Sequence, residues 1–318
     1  MNGAANAVLV SARGVRKGYG DIAVLDDATF DIPPGVTGLL GANGSGKTTL
    51  LGMILGLHPI DGGELSVYGR DPWRGGAEVR ALTGYAPEHH TLPPDLRADE
   101  FVRHVAELHG LPGPEATTRA SDALWLVGLG EERFRPMGTM STGQRQRVKL
   151  AQAIAHDPRL ILLDEPTDGL DPVQRDAMLD LIRRVATSFE INVLLSSHLL
   201  DEVERICDNA VIIGEGRTLA SGPLSVLRGE SDQGLTLVVD GSDHQIVAVA
   251  RHLESIGATV TVDGARLTAD GSGVEALLHD PTLLFDHARD ACVAAEVGIV
   301  RLGRRRLSLE DVFLEKLG

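Results

Sequence analysis

No stretch of this sequence reaches the ~18 consecutive apolar residues that a membrane-spanning helix requires, so the chain forms no channel by itself. Cysteine is scarce. Cys207 and Cys292 are the two among 318 residues, and neither stands in a CxxC pair or a Cys/His cluster. Each falls within an apolar helical pattern, where a small core residue in a reducing compartment is the plain reading. Positive charge is in deficit: 30 lysines and arginines face 45 aspartates and glutamates, a net charge of −15. A broad basic surface for nucleic acid is therefore not expected. The first ten residues, MNGAANAVLV, lack the basic-then-apolar layout of a secretory signal. Together these absences predict a cytoplasmic chain, long enough for one large or two medium domains with real cores.

Residues 41–49 read GANGSGKTT, a glycine, four residues, then Gly46, Lys47 and Thr48. An apolar strand is expected over 36–40 and a helix over 50–57, the context a phosphate-binding P-loop needs. Gly41, Gly44 and Gly46 let successive backbone N–H groups, with those of Asn43, Ser45 and Thr49, turn inward around anionic oxygens. The following helix N-terminus adds partial positive charge at the same place. In this motif Lys47 reaches the β- and γ-phosphates, and the Thr48 hydroxyl sits on a magnesium ion. The ligand is a nucleoside triphosphate.

Upstream, residues 8–32 alternate apolar and polar positions, which predicts two or three short antiparallel strands broken at Gly18, Tyr19 and Gly20. By sequence alone Tyr19 is equally an ordinary turn tyrosine or a platform for an adenine ring. Downstream, a strand is expected over 64–68, loop over 69–76, and helices over 99–109 and 114–127. A third helix follows Met140, Ser141, Thr142, Gly143 and Gln144. Val148, Leu150, Ile154 and Ala155 are expected inward, and Arg145, Arg147 and Lys149 mostly outward. Ser141 is a good N-cap and Gly143 permits close approach, so this helix start is a second candidate phosphate site.

Residues 159–165 form an apolar run ending in two carboxylates, as a buried parallel strand does. Ligands gather at the carboxyl ends of such strands. Asp164 is thus placed to hold magnesium, directly or through water, and Glu165 to polarise an attacking water. A further strand over 191–195 ends at Ser196, Ser197 and His198, which aims the histidine at the same crevice. A helix over 199–207 and a strand over 210–213 continue the β/α alternation. A linker is expected at 229–234. Beyond it, strands near 235–239, 259–262, 266–269 and 297–302, with helices over 243–256, from 274 onward and over 308–317, describe a small α+β domain.

The order of these motifs resembles the ATPase subunit of ABC transporters, over about residues 8–225. Residues 41–49 match Walker A; 161–164 with Glu165 match Walker B and its glutamate. Residues 167–171 look like the D-loop, and His198 like the switch histidine. The resemblance makes Tyr19 the adenine-stacking aromatic. The signature, usually LSGGQ, is here Met140 to Gln144. Ser141 and Gly143, which with Gln144 meet the γ-phosphate in the family, are kept, and Thr142 adds bulk. Glu88 stands where the family has its Q-loop glutamine, bringing an oxygen for magnesium and an added negative charge.

The resemblance implies an α/β fold: a P-loop NTPase core with an antiparallel β subdomain and a helical subdomain (about 90–157) in an ATPase domain over 1–228. The small α+β domain over 235–318 follows. It further implies ATP and Mg2+, with Glu165 as general base, His198 as γ-phosphate sensor, and Lys47, Thr48, Glu88 and Asp164 around phosphate and metal. A second ATPase subunit in a head-to-tail homodimer and a separate integral-membrane permease are the expected partners. That permease would hold the chain on the inner face of the membrane. The tail at 307–313 is similar to that of drug-resistance and type-2 exporters. An importer ATPase with a ligand-sensing C-terminal domain is the alternative; a soluble non-transport ABC ATPase would need paired cassettes or a coiled-coil insertion.

Overall fold

The computed structural model describes residues 8–88, 92–228, 230–271 and 282–306. They divide between Leu224 and Ser225 into two compact units.

The first unit opens with β1 (Val10–Tyr19) and β2 (Ile22–Ile32), two strands rather than three, joined by a tight turn. Then come β3 (Val36–Leu40), α1 (Lys47–Ile54), β4 (Gly62–Val67), α2 (Gly76–Ala81) and β5 (Thr83–Ala86). Three helices follow: α3 (Ala98–Leu108), α4 (Gly113–Leu126) and α5 (Thr142–Ile154). The unit continues through β6 (Leu160–Asp164), α6 (Pro172–Ser188), β7 (Asn192–Ser197), α7 (Leu200–Ile206), β8 (Asn209–Gly214) and β9 (Arg217–Pro223). A short α8 (Leu224–Leu227) spans the boundary.

Among the described residues these strands form one nine-stranded sheet in the order β4-β1-β2-β9-β8-β3-β7-β6-β5. Its β3, β5, β6, β7 and β8 pair in parallel, whereas β4, β1 and β2 are antiparallel. β3 and β6 are buried at every position, which is why neither shows the apolar–polar alternation of a half-exposed strand. α1 sits inside the curl of this sheet. Its Leu50, Leu51, Met53 and Ile54 share one core with Val10, Phe30 and Val67 of the antiparallel part and Leu162 and Leu194 of the parallel part.

Two local expectations are corrected here, and two elements have no counterpart among them. α1 begins at Lys47 rather than Leu50, because Leu50 N already bonds Gly46 O inside the loop motif. The stretch 76–81 is helical, and β9, which pairs antiparallel with β8, follows a turn at Glu215 and Gly216. Neither carries a period long enough to be legible. Lys149 faces inward and is only 8% exposed. It lies on a stripe with Gln146, Leu150 and Ala153, the three- and four-residue spacing of one helix face.

The second unit contains β10 (Glu230–Asp240), α9 (Asp243–Ser255), β11 (Thr259–Asp263), β12 (Arg266–Asp270), α10 (Thr282–Ala294) and β13 (Gly298–Arg306). The sheet order β11-β12-β10-β13, with every neighbouring pair antiparallel, is that of a split βαβ unit. Its core joins Leu235, Leu237 and Leu267 to Val249, Leu253, Leu284 and Cys292 of the helices. The linker expected over 229–234 is strand from Glu230 onward, since ladder pairing with β13 satisfies the backbone whatever the side-chain polarity. Gly229, residues 272–281 and the closing helix expected over 308–317 lie outside the described residues, as does the tail at 307–313.

Candidate functional site

The register of the parallel strands decides which residues meet. Leu40 pairs with Ser197 and Asp164 with Ser196, so β3, β6 and β7 end level with one another. The segments leaving these ends begin with Gly41, Glu165 and His198. Gly41 has no room for a side chain: a Cβ there would lie 2.4 Å from Ser45 Oγ and 2.5 Å from Ile213 O. Gly44 and Gly46 take φ of 83° and 101°, which turn the loop back into α1.

Three charged side chains are nearly sequestered at this edge: Lys47 at 6%, Asp164 at 2% and Glu165 at 7% exposure. Buried charges persist where they are paired. Lys47 Nζ donates to Gly41 O at 2.7 Å and to Ala42 O at 3.4 Å, and stands 3.4 Å from Glu165 Oε1. Glu165 Oε2 in turn lies 2.9 Å from His198 Nδ1. Ser196 Oγ donates to Asp164 Oδ1 at 2.6 Å and accepts the Glu165 N–H at 3.0 Å. Glu165 itself adopts φ of 46°, a left-handed conformation that is costly for a glutamate and characteristic of functional loops. Asp164 Oδ2 is buried with no hydrogen-bond partner among the described residues.

A pocket of about 550 Å3 opens at this edge, lined by Asn43, Gly44, Gly46, Lys47, Thr48 and Thr49 of the loop, with Tyr19, Val24, Glu88 and Glu165. Tyr19 is half-exposed at its rim, edge-on to His58 with ring centroids 6.3 Å apart. Lys17 Nζ lies 5.4 Å from the Tyr19 ring centroid and donates to Asp61 Oδ1 at 2.8 Å. Asp61 Oδ2 accepts the Gly18 N–H at 2.8 Å. Those bonds, Lys17 first and then Gly18, hold the Asp61 carboxyl below its ordinary pKa. From α5, two side chains reach β5 and the segment after it. Lys149 Nζ donates to Glu88 O at 2.6 Å and Gln152 Nε2 to Tyr85 O at 2.8 Å. Burial lowers the Lys149 pKa, opposed by Glu88 and Asp168. Burial, and then the nearby carboxylates of Asp164 and Glu88, pushes the Tyr85 hydroxyl up, so it stays neutral.

Ser141, Gly143 and Gln144 are not among the residues lining this pocket. They open α5 in a capping box, with Gln144 N donating to Ser141 Oγ at 3.2 Å and Ser141 N to Gln144 Oε1 at 3.0 Å. A Cβ on Gly143 would lie 2.8 Å from Gln174 Oε1. The sequence motifs thus fall into two separate clusters within one chain.

Comparison with known proteins agrees with this layout. The profile of the family described as "ABC transporter" matches residues 25–168. The chain is 31% identical to the linearmycin resistance ATP-binding protein of Bacillus subtilis (strain 168), an alignment covering 98% of each. The chain belongs to the ATP-binding subunits of ABC transporters. It is also 31% identical to the Nod factor export ATP-binding protein I of Ralstonia nicotianae, over 99% of this chain and 96% of that one. A solved structure of an ATP-binding subunit of an ABC transporter superposes with a TM-score of 0.61 at 31% identity, covering 69% of this chain and 92% of its own.

As an ABC ATPase subunit, the protein binds and hydrolyses ATP on a P-loop NTPase fold. Tyr19 and His198 both lie outside the matched segment, so their placement comes from the structure. Sequence reasoning missed Ser196, Lys149, Gln152 and the Lys17–Asp61 pair. All of these are set by contacts across strands and helices.

Proposed function

We propose that this chain powers an exporter through a separate integral-membrane permease, working as a head-to-tail homodimer with ATP between Lys47 of one copy and Ser141, Gly143 and Gln144 of the other. The observation that carries the catalytic part is the string Lys47–Glu165–His198, with spacings of 3.4 and 2.9 Å, whose first two members line the pocket. The separation of the Ser141 cluster from that pocket supports the dimer, because one copy offers two half-sites. The names of its relatives, for Nod factor export and linearmycin resistance, support export. Docking on the permease would hold the chain at the inner face of the membrane; no described helix is long and apolar enough to cross it.

Mg2+ fits the donor set. The Thr48 hydroxyl and the Asp164 and Glu88 carboxylates are hard oxygen donors, and the buried Asp164 Oδ2 has no hydrogen-bond partner among the described residues. When bound, the ion neutralises charge on the β- and γ-phosphate oxygens. Lys47 binds the same phosphates, and in doing so leaves Glu165 Oε1, its present ionic partner. That exchange frees Glu165 to take a proton from the attacking water, while His198 holds the other carboxylate oxygen and senses the γ-phosphate. Tyr19 stacks on the adenine at the rim.

Glu165→Gln tests the reading. We expect ATP turnover to fall by about 10²–10⁴-fold, as loss of a general base does, with ATP affinity retained. The variant should accumulate as an ATP-bound dimer by light scattering; a monomer at saturating ATP would sink the assignment.

A further inference from the structure

One buried carboxylate in the first unit has no task in that mechanism. Glu202, on α7, is 3% exposed. Its Oε1 accepts the Thr167 hydroxyl at 2.6 Å, and its Oε2 the Ser197 hydroxyl at 2.7 Å. Arg175 Nε of α6 stands 3.5 Å from Oε1. The Ser197 oxygen accepts the Leu199 N–H at 3.0 Å, so the chain on both sides of His198 is held. Thr167 and Ser197 are themselves buried, at 3% and 0% exposure.

The position of the two hydroxyls is what matters. Thr167 follows Glu165 by two residues on the loop after β6, and Ser197 directly precedes His198 at the end of β7. β6 and β7 are neighbours in the sheet, but their register ends at the pair Asp164–Ser196. Beyond that pair the two segments have no ladder to hold them together. Glu202 supplies the missing link by bonding one residue from each. A buried carboxylate costs several kcal/mol of desolvation, recovered only through good geometry. Here both oxygens are engaged by short hydroxyl bonds, of the charge-assisted kind that fix geometry most firmly.

We propose that Glu202 is a positioning residue for ATP hydrolysis: by clamping Thr167 to Ser197 it sets the 2.9 Å contact between Glu165 and His198. The polar partners of Glu202, Thr167, Ser197 and Arg175, are not among the residues lining the ATP pocket, so its loss acts on turnover rather than on nucleotide affinity. The inference rests on the roles given to Glu165 and His198 above.

Thr167→Val, Ser197→Ala, the double variant and Glu202→Gln of the full chain separate the possibilities, with Glu165→Gln assayed in parallel. Thr167→Val keeps the side-chain shape and leaves the Glu202–Arg175 pair in place, so it decides the matter if Glu202→Gln does not fold. The measurements are steady-state hydrolysis, titration with a fluorescent ATP analogue, and thermal melting. We expect Thr167→Val and Glu202→Gln to lower kcat at least fivefold, with KM and analogue affinity within threefold and the chain folded at the assay temperature. The double variant should be no slower than the worse single one, because either change cuts the same bridge. A fall in kcat of less than fivefold, or one matched by equal losses of affinity and melting temperature, overturns the proposal. If Glu165→Gln itself stays active, it is the general-base reading that fails, a result distinct from inert Thr167→Val beside a dead Glu165→Gln.

Discussion

Lys47 and Glu165 are each other's counter-charge at 3.4 Å, and both are nearly shut away from water. In the mechanism proposed above, an arriving phosphate therefore competes for the ammonium and releases the carboxylate. One residue on the pocket wall bears on this exchange. Glu88 adds negative charge where the family has glutamine, so Glu88→Gln should bind ATP more readily when magnesium is limiting. Hydrolysis followed across a magnesium titration reads this, and unchanged dependence counts against it. At the rim, Asp61 bonds both Lys17 and Gly18, the two residues directly before Tyr19. Asp61→Asn gives up the charge and one acceptor. We expect ATP to bind more weakly by about 1 kcal/mol, roughly fivefold in Kd. Turnover at saturating ATP should stay within twofold, because Asp61 is remote from Glu165 in the bonding scheme. A fall in kcat with unchanged Kd would refute it.

At the scale of elements, α5 does two jobs from its two ends. Its N-terminus presents Ser141, Gly143 and Gln144, and its C-terminal half holds the Q-loop segment through Lys149 and Gln152. The first job is written in the local motif. The second is not, because a lysine inside a helix reads as solvated until a carbonyl is seen to receive it. Just past α5, His156 stacks on His109, at the end of α3, with centroids 3.6 Å apart, and its Nε2 lies 3.3 Å from Thr83 O. Burial, then the neighbouring His109, pushes His156 down to about 4, against the pull of Thr83 O and Asp157. Burial lowers His109 as well. Between about pH 4 and 6.5 the unfolded chain thus holds more protons than the folded one. The stabilisation is full above about pH 6.5 and is lost as pH falls towards 4. We expect denaturation midpoints to drop across that window, and His156→Gln to flatten the drop. An unchanged slope in the variant would rule this pair out as its source.

At the scale of the molecule, each unit has its own core, one built around α1 and the other around α9 and α10. Every residue lining the ATP pocket belongs to the first. Ligand binding stabilises only what it binds, by about 4 kcal/mol at a thousandfold excess over Kd. Calorimetry of the full chain should therefore show two transitions, with ATP and magnesium raising the first unit's alone. A single transition, or equal shifts of both, would contradict independent units.

The sequence by itself determined which chemical groups stand at the ends of the buried strands. Residues 41–49, Asp164 with Glu165, and His198 follow apolar runs that become buried parallel strands, and local backbone rules set what those strand ends present. It also determined the alternation of the second unit through the helical and strand periods of 235–302. Only the tertiary structure decided what holds these groups in place. Strand register brings Ser196 between Asp164 and Glu165, and helix packing brings Glu202 between Thr167 and Ser197. The same packing turns Lys149 inward to Glu88. All of these bonds except the one from Ser197 to Glu202 join residues far apart in the chain, and nothing in a local period records a partner that only the folded sheet delivers.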